Sequence, residues 1–401
     1  MNRRLGSVVV LMTLGFGQAA QAAESIGELI DETKFMVNWR VRSEAVEQTG
    51  FAEEAQALTS RIRAGFESGT VAGTRLLAEM SATSELSSDY NSTTNGQTAY
   101  PVVADPGGFA TINRFAFINN SLDKTALSLG RQRLILDDSR FVGNVGWRQH
   151  EQTYDGLVSQ TSGTKFSASF AWFDQVNRVF GPQSPQGKWH GDIVLLNGSR
   201  TFGFGKVTAF AYGLEIDEAV AASTETIGLR LSGSRAFGDT SLLYTLSWAT
   251  QSEAGANTAD LDLDYVFLEA GFTRGKFTTA LGYEVLSGNG TTSFSTPLAT
   301  LHAFQGWADK FLATPGNGIV DSFIRFAYSP GMNGPFDSVS LAAWYHQFDA
   351  DFGSATYGDE LDFSIAARVD RITLTLKYAV YEAEGLFTDT DKLWFSMDFA
   401  L

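Results

Sequence analysis

Short runs of alternating apolar and polar residues dominate the chain. In 35–46, Phe35, Val37, Trp39 and Val41 alternate with Asn38, Arg40, Arg42 and Glu44. In 56–67, Leu58, Ile62, Ala64 and Phe66 alternate with Thr59, Arg61, Arg63 and Glu67. In 71–83, Leu76, Ala78 and Met80 oppose Arg75, Glu79 and Thr83, and in 371–382, Ile372, Leu374, Leu376 and Tyr378 oppose Arg371, Thr373, Thr375 and Lys377. A period of two marks a strand with two unlike faces. Eighteen such strands are predicted, at 35–46, 56–67, 71–83, 109–119, 124–135, 152–160, 164–174, 189–200, 205–216, 223–235, 239–251, 261–273, 276–286, 318–329, 337–349, 358–369, 371–382 and 391–401.

The connections fall into two sets. One is mostly short, as at 68–70, 120–123, 161–163, 237–238, 274–275 and 370, while the other contains 84–108, 136–151, 175–188 and 287–317. Short turns at one end and long loops at the other predict an all-β, transmembrane, antiparallel up-and-down barrel with long extracellular loops. An even strand count puts both chain ends on the periplasmic side. A soluble sandwich or propeller would show neither this asymmetry nor an alternating strand running to the last residue. That strand alternates Leu393, Phe395, Met397, Phe399 and Leu401. Its aromatic residue sits two before the end, a departure from the aromatic last residue common in bacterial barrels.

At the other end, Arg3 and Arg4 precede an apolar run at 8–16 and the small-residue stretch Ala19-Ala20-Gln21-Ala22. This reads as a signal peptide over 1–22, cleaved before Ala23; the run is too short to span a bilayer. Residues 23–34 are then a short periplasmic segment and 35–401 the barrel. The expected location is the outer membrane, with outer-membrane lipid and the barrel assembly machinery as partners.

Composition agrees. The 401 residues include 40 Gly and 31 Phe but only 8 Pro, and no Cys, so disulfides and thiolate chemistry are unavailable. Mean hydropathy is −0.07, far below that of a helical membrane protein. Net charge is −16; removing Arg3 and Arg4 leaves 27 basic against 45 acidic residues, or −18. Such acidity argues against nucleic acid as a partner.

A bare charge facing lipid at mid-depth costs about 2–4 kcal/mol. Arg40, Arg42, Arg61, Arg63, Arg75 and Lys377 are therefore expected to face the lumen. The same argument applies to Arg114, Lys165, Arg230 and Arg325, each flanked by apolar residues. Two readings of these cations stay open. They form structural ion pairs with Glu44, Glu67 and Glu79, or they are an anion-attracting lining. The second is preferred, because two neighbouring strands each carry Arg at i and i+2.

Residues 130–156 (GRQRLILDDSRFVGNVGWRQHEQTYDG) and 296–321 (TPLATLHAFQGWADKFLATPGNGIVD) resemble signature stretches of the alginate-export family of outer-membrane barrels. The similarity runs from about residue 34 to the C-terminus. The first stretch places Gly130, Arg131, Gln132, Arg140, Phe141, Gly143, Trp147, Arg148, Gln149 and Asp155 on the family pattern. The second places Thr296, Pro297, His302, Gly306, Trp307, Asp309 and Pro315 on it. The resemblance implies an eighteen-stranded barrel with an arginine-rich pore conducting a polyuronate. Arg140 and Arg148 then sit in a loop at the mouth, as a first anionic contact; Arg131, grouped with them at the mouth, shares parity with Leu127 and Leu129 and lies either at the rim or past a bulge. Transport direction stays open.

Loop 287–317 exceeds the length at which a loop without regular structure is usual. Leu301, Phe304, Trp307, Ala308 and Phe311 are spaced for an amphipathic helical turn, with Asp309 and Lys310 adding polarity. The loop, with His302, Phe304, Trp307, Asp309 and Phe311, is expected to fold into the mouth and gate it; packing over the rim is the alternative. Asp260, Asp262 and Asp264 are expected to be a solvated strand end rather than a calcium site, since their spacing fits no calcium loop. Asn91-Ser92-Thr93 matches a glycosylation sequon but reads as loop composition. His150, His190, His302 and His346 form no metal-ligand spacing, and no Gly-x-Ser-x-Gly is present, so no enzyme, cofactor or metal is expected. The expected function is conduction of an anionic oligo- or polysaccharide such as alginate. The alternatives are a general porin for small, including anionic, solutes, or a non-conducting barrel that binds through its loops.

Overall fold

The computed structural model describes residues 30–331 and 334–401. The predicted signal peptide lies outside these residues. Eighteen strands, β1 (Lys34–Gln48) through β18 (Thr390–Ala400), each pair antiparallel with their sequence neighbours, and β1 pairs with β18 to close the sheet. Closure leaves no unpaired edge, which a sheet in hydrocarbon requires. All eighteen predicted strands are present, with ends displaced by no more than three residues.

The alternation sorts as expected. In β1, Arg42, Glu44 and Val46 are buried inward while Phe35 and Trp39 are exposed outward. In β2 (Ala55–Glu67), Thr59, Arg61 and Arg63 point in, and Leu58 and Ile62 point out. The outer face carries exposed Phe117, Leu129, Leu196, Leu229, Leu246, Leu268 and Leu281, the apolar band that lipid solvates.

Two-residue turns at 123–124, 203–204, 238–239, 275–276 and 370–371 join strands at one end. Most contain a left-handed residue, such as Gly238 (φ 59°) or Gly275 (φ 58°), where glycine avoids the Cβ clash. The opposite end carries the long connections: loop A at 86–108, loop B at 133–152, loop C at 178–187 and loop D at 287–318. Loops B and D contain the two family-like stretches.

Candidate functional site

Three of these loops fold inward, so the lumen is filled over much of its section. Loop B crosses beneath β1 and β2. Arg40 donates to the carbonyls of Gly146 (3.2 Å) and Trp147 (3.1 Å), Arg42 to Trp147 O (2.6 Å), and Arg63 to Gln149 O (3.1 Å). The Arg42 guanidinium also lies 3.9 Å from the centre of the Trp147 ring. Loop A closes over the same segment: Asp105 Oδ1 accepts from Gln149 N (2.7 Å), and Tyr90 is buried with Val46, Ala55 and Ala57. Only part of the 84–108 region is packed into the mouth: Tyr90, Val103 and Asp105 are buried, while Thr93, Thr94, Thr98 and Ala99 are exposed.

Loops B and D meet each other. Val142 and Leu298 form a parallel bridge, Gly143 N donates to Leu298 O (2.9 Å), and Val145 N donates to Thr300 Oγ1 (3.1 Å). The predicted amphipathic helix is absent. Only Leu301–Ala303 makes a single 3₁₀ turn. Gln305 (φ 49°), Gly306 (φ 79°) and Asp309 (φ 60°) adopt left-handed backbone, which interrupts any helix. The apolar residues instead go to separate walls. His302 stacks on Trp147 (4.4 Å), Trp307 faces the Lys377 ammonium (3.7 Å), and Phe311 packs on Phe348 (4.5 Å). Loop D lies against the inner wall, where His302 meets Lys377 and Ala308 N donates to Glu360 (2.6 Å).

The charges sit in named partnerships. Arg140 is 1% exposed, with Nε 2.7 Å from Glu284 Oε1 and Nη1 2.9 Å from Thr296 Oγ1. Burial is the largest influence on its guanidinium, yet Glu284 prevails and holds its pKa above the usual value. Arg148 reaches Asp309 (2.8 Å) and Glu44 (3.4 Å), which likewise outweigh burial and raise its pKa. His302 bridges Asp309 through Nδ1 (2.7 Å) and accepts from Lys377 Nζ at Nε2 (2.7 Å). Burial, and then Lys377, push the imidazole down to about 3, so it is neutral at pH 7.

Of the residues expected in the lumen, Arg40, Arg42, Arg61, Arg63, Arg75, Arg114, Arg230, Arg325 and Lys377 lie on the inner face. Their pairing falls between the two readings. Arg114 is held by Glu79 (2.7 Å), Arg75 by Glu67 (3.3 Å), Arg325 by Glu269 (2.7 Å), Arg230 by Asp138 (2.7 Å) and Arg40 by Asp398 (2.6 Å). Arg63 contacts Glu151 (3.1 Å), Arg61 donates to Asn38 Oδ1, and Arg42 has its nearest carboxylate, Asp105, at 3.9 Å. Three expectations fail on placement. Lys165 is exposed in the turn at 163–165, because β7 (Phe166–Asn177) begins only after it. Arg131 lies across from Phe115, whose ring is exposed on the outer face, and pairs with Asp155 (2.7 Å) rather than standing at the mouth. Arg140 and Arg148 are buried where loops B and D join, so neither is a first contact for an incoming anion.

Sequence reasoning missed two cavities and the septum between them. An outer cavity of about 510 Å³ opens toward the long-loop end, lined by Arg140, Arg178, Trp189, Leu261, Leu301 and Phe311 among others. An inner one of about 200 Å³ lies at mid-barrel, lined by Arg230, Glu269, Phe304, Phe323, Arg325 and Trp344 among others. Gln305 borders both and donates to Glu284, the carboxylate that also holds Arg140 and accepts from Tyr265 (2.7 Å). Asp260, Asp262 and Asp264 are exposed between buried Leu261 and Leu263, as a solvated strand end requires. Among the described residues, no three His, Cys, Asp or Glu side chains are arranged to hold a metal ion.

This is the architecture of an outer-membrane barrel, closed, eighteen-stranded and narrowed by its own loops. No protein-family model matches the chain, and no curated protein matches it in sequence. Solved structures do match. The barrel is similar to OccK9 (OpdG) of Pseudomonas aeruginosa, at 16% identity and a TM-score of 0.70, covering 93% of this chain and 100% of that one. It is similar to OccAB2 of Acinetobacter baumannii, at 17% identity and 0.71, covering 93% and 98%. It is also similar to OpdK of Pseudomonas aeruginosa, solved with vanillate, at 14% identity and 0.68, covering 93% and 99%. At these identities the likeness establishes the fold.

Proposed function

We propose that the chain is a passive outer-membrane channel for small charged solutes, and that it carries out no catalytic step. The observation that carries this reading is the pair of cavities separated by the Gln305 septum. An inner chamber of about 200 Å³ suits a small molecule and offers no continuous groove for a polymer. Its chemistry is mixed: aromatic walls from Phe267, Phe323 and Trp344, with the Arg230–Asp138 and Arg325–Glu269 pairs beside them. A permeant would exchange its own groups for one partner of such a pair, which favours a compact solute carrying a charge and an apolar body. The neighbouring folds are porins, one of them solved with the small molecule vanillate, and this supports the small-solute reading over polyuronate export.

The test is a planar-bilayer recording of the purified protein. Discrete steps in potassium chloride are expected, blocked by millimolar aromatic acids more strongly than by oligouronates of several residues. A well-folded barrel that passes no current would refute the channel. Stronger block by oligouronate would restore the polysaccharide reading suggested by 130–156 and 296–321.

A further inference from the structure

The outer face carries a feature unrelated to conduction. Over β12 (Leu263–Arg274), β13 (Phe277–Leu286), β14 (Ile319–Tyr328), β15 (Ser338–Asp349), β16 (Thr356–Val369) and β17 (Ile372–Ala383) the apolar band is concave. It forms a groove of about 720 Å³ whose lining is almost wholly apolar. The walls are large, Phe272, Phe277, Phe326, Leu341, Phe363 and Leu376, and the floor is small: Thr279 and Ala343 flank Phe326 in one cross-strand row. A second hollow of about 530 Å³ lies on the outer face over Phe170, Leu196 and Ala209, but its lining is more polar; the groove described here is the larger and has room for something thin and flexible.

At its turn end the groove runs into a second pocket that shares Phe277 and Tyr328, whose rings stack at 4.4 Å. This pocket adds Arg274, Lys276 and Asp239. Both cations are exposed, and among the described residues neither has a carboxylate within ion-pair distance. Three other cations of this rim are occupied otherwise: Arg200 and Arg235 lie over Phe202 (5.5 Å) and Phe237 (5.6 Å), and Arg368 donates to Asp370 O (3.0 Å); Arg371 and Lys165 are exposed but do not line the groove. Short turns face the periplasm in barrels of this kind, so the pocket lies at the headgroup level of the inner-facing leaflet.

We propose that this joined groove and pocket bind one anionic phospholipid of the periplasmic leaflet, its phosphate on Arg274 and Lys276 and an acyl chain along the Thr279–Ala343 floor. Charge decides the headgroup. Two cations against one carboxylate favour a net-negative lipid over a zwitterionic one, since juxtamembrane Lys and Arg attract anionic lipid. The aromatic pair marks the boundary between hydrocarbon and headgroup, where such rings concentrate.

Native mass spectrometry of the delipidated, folded barrel tests this, with phosphatidylglycerol, phosphatidylethanolamine or lipopolysaccharide added back. Wild type should retain one phosphatidylglycerol preferentially. Arg274→Gln/Lys276→Gln should weaken that retention about thirtyfold while leaving conductance unchanged. Ala343→Trp, which fills the floor, should weaken retention of both phospholipids, and Lys276→Glu serves if the double variant folds poorly. Equal retention by the charge variants, preference for lipopolysaccharide, or masses of dimers or trimers that exclude lipid from the groove would each overturn the proposal.

Discussion

Replacing Arg140 with Met should loosen the junction between loops B and D. Arg140 is fully enclosed and satisfies Glu284 and Thr296, while Glu284 also receives Tyr265 and Gln305. Removing the cation leaves Glu284 buried without its counter-charge. Breaking one partner of such a pair costs about 3–5 kcal/mol, far more than the pair contributes relative to an apolar substitute. At about 1.4 kcal/mol per factor of ten, the balance between docked and undocked loops shifts by roughly two to four powers of ten. The β-barrel itself is untouched, because Arg140 lies in a connection. Single-channel recordings of Arg140→Met should therefore show larger, noisier steps, with heat-modifiable migration on gels preserved. Adding Glu284→Gln removes the orphaned charge, and Arg140→Met/Glu284→Gln should recover most of the quiet, wild-type trace. If the single variant conducts like wild type, or the double variant is as noisy as the single, the buried pair does not hold the constriction.

Gln305→Ala should join the outer and inner cavities and raise conductance, read as the mean step size in 1 M salt; an unchanged step would place the path elsewhere. His302 titrates from about 6.5 when undocked to about 3 when docked, so only the undocked form takes up a proton between those values. Docking is thus fully stable above about pH 6.5 and weakens as pH falls toward 3. Current noise should rise between pH 6 and pH 4, and His302→Gln, which cannot protonate, should flatten that dependence. Changing Arg40, Arg42, Arg61 and Arg63 together to Ser should release loop B and raise conductance as well as alter ion selectivity; a pure selectivity change would mean that they act as a lining. Leu246→Arg, on the lipid face between Leu231 and Leu268, should cost about 2–4 kcal/mol and lower the denaturant midpoint in liposomes, whereas Ser247→Arg, one residue along and facing inward, should not cost this lipid-exposure term.

Strand number and inward polarity were legible because each rests on a local period of two, and a one-residue slip would put Arg61 or Lys377 in lipid. What the arginines do was not legible. Parity says that Arg42 points inward, but only the docking of Trp147, more than a hundred residues away, shows that it holds a loop rather than an open pore. The same limit misled the reading of 301–311, where Leu301, Phe304, Trp307 and Phe311 carry helical spacing yet serve different walls. Of the three left-handed residues that break the helix, only Gly306 announces itself in the sequence. Lys165 failed for a simpler reason, that a strand boundary shifted by two residues turns a lumen position into a turn.

The seam between the first and last strands has a consequence for the order in which the molecule can be finished. Arg40 on β1 is aligned by Asp398, three residues from the end of the chain, and the same guanidinium grips loop B at Gly146 and Trp147. Loop B in turn seats loop D. A chain whose final strand has not yet zipped to the first therefore lacks one of the three arginine grips on loop B, and also the β18 contacts of loop D, Lys392 to Asp309 (3.4 Å) and Lys310 to Thr390 (2.7 Å). Sealing of the wall thus tightens the passage, so that a barrel still in assembly holds its interior chains more loosely than one whose circumference is complete.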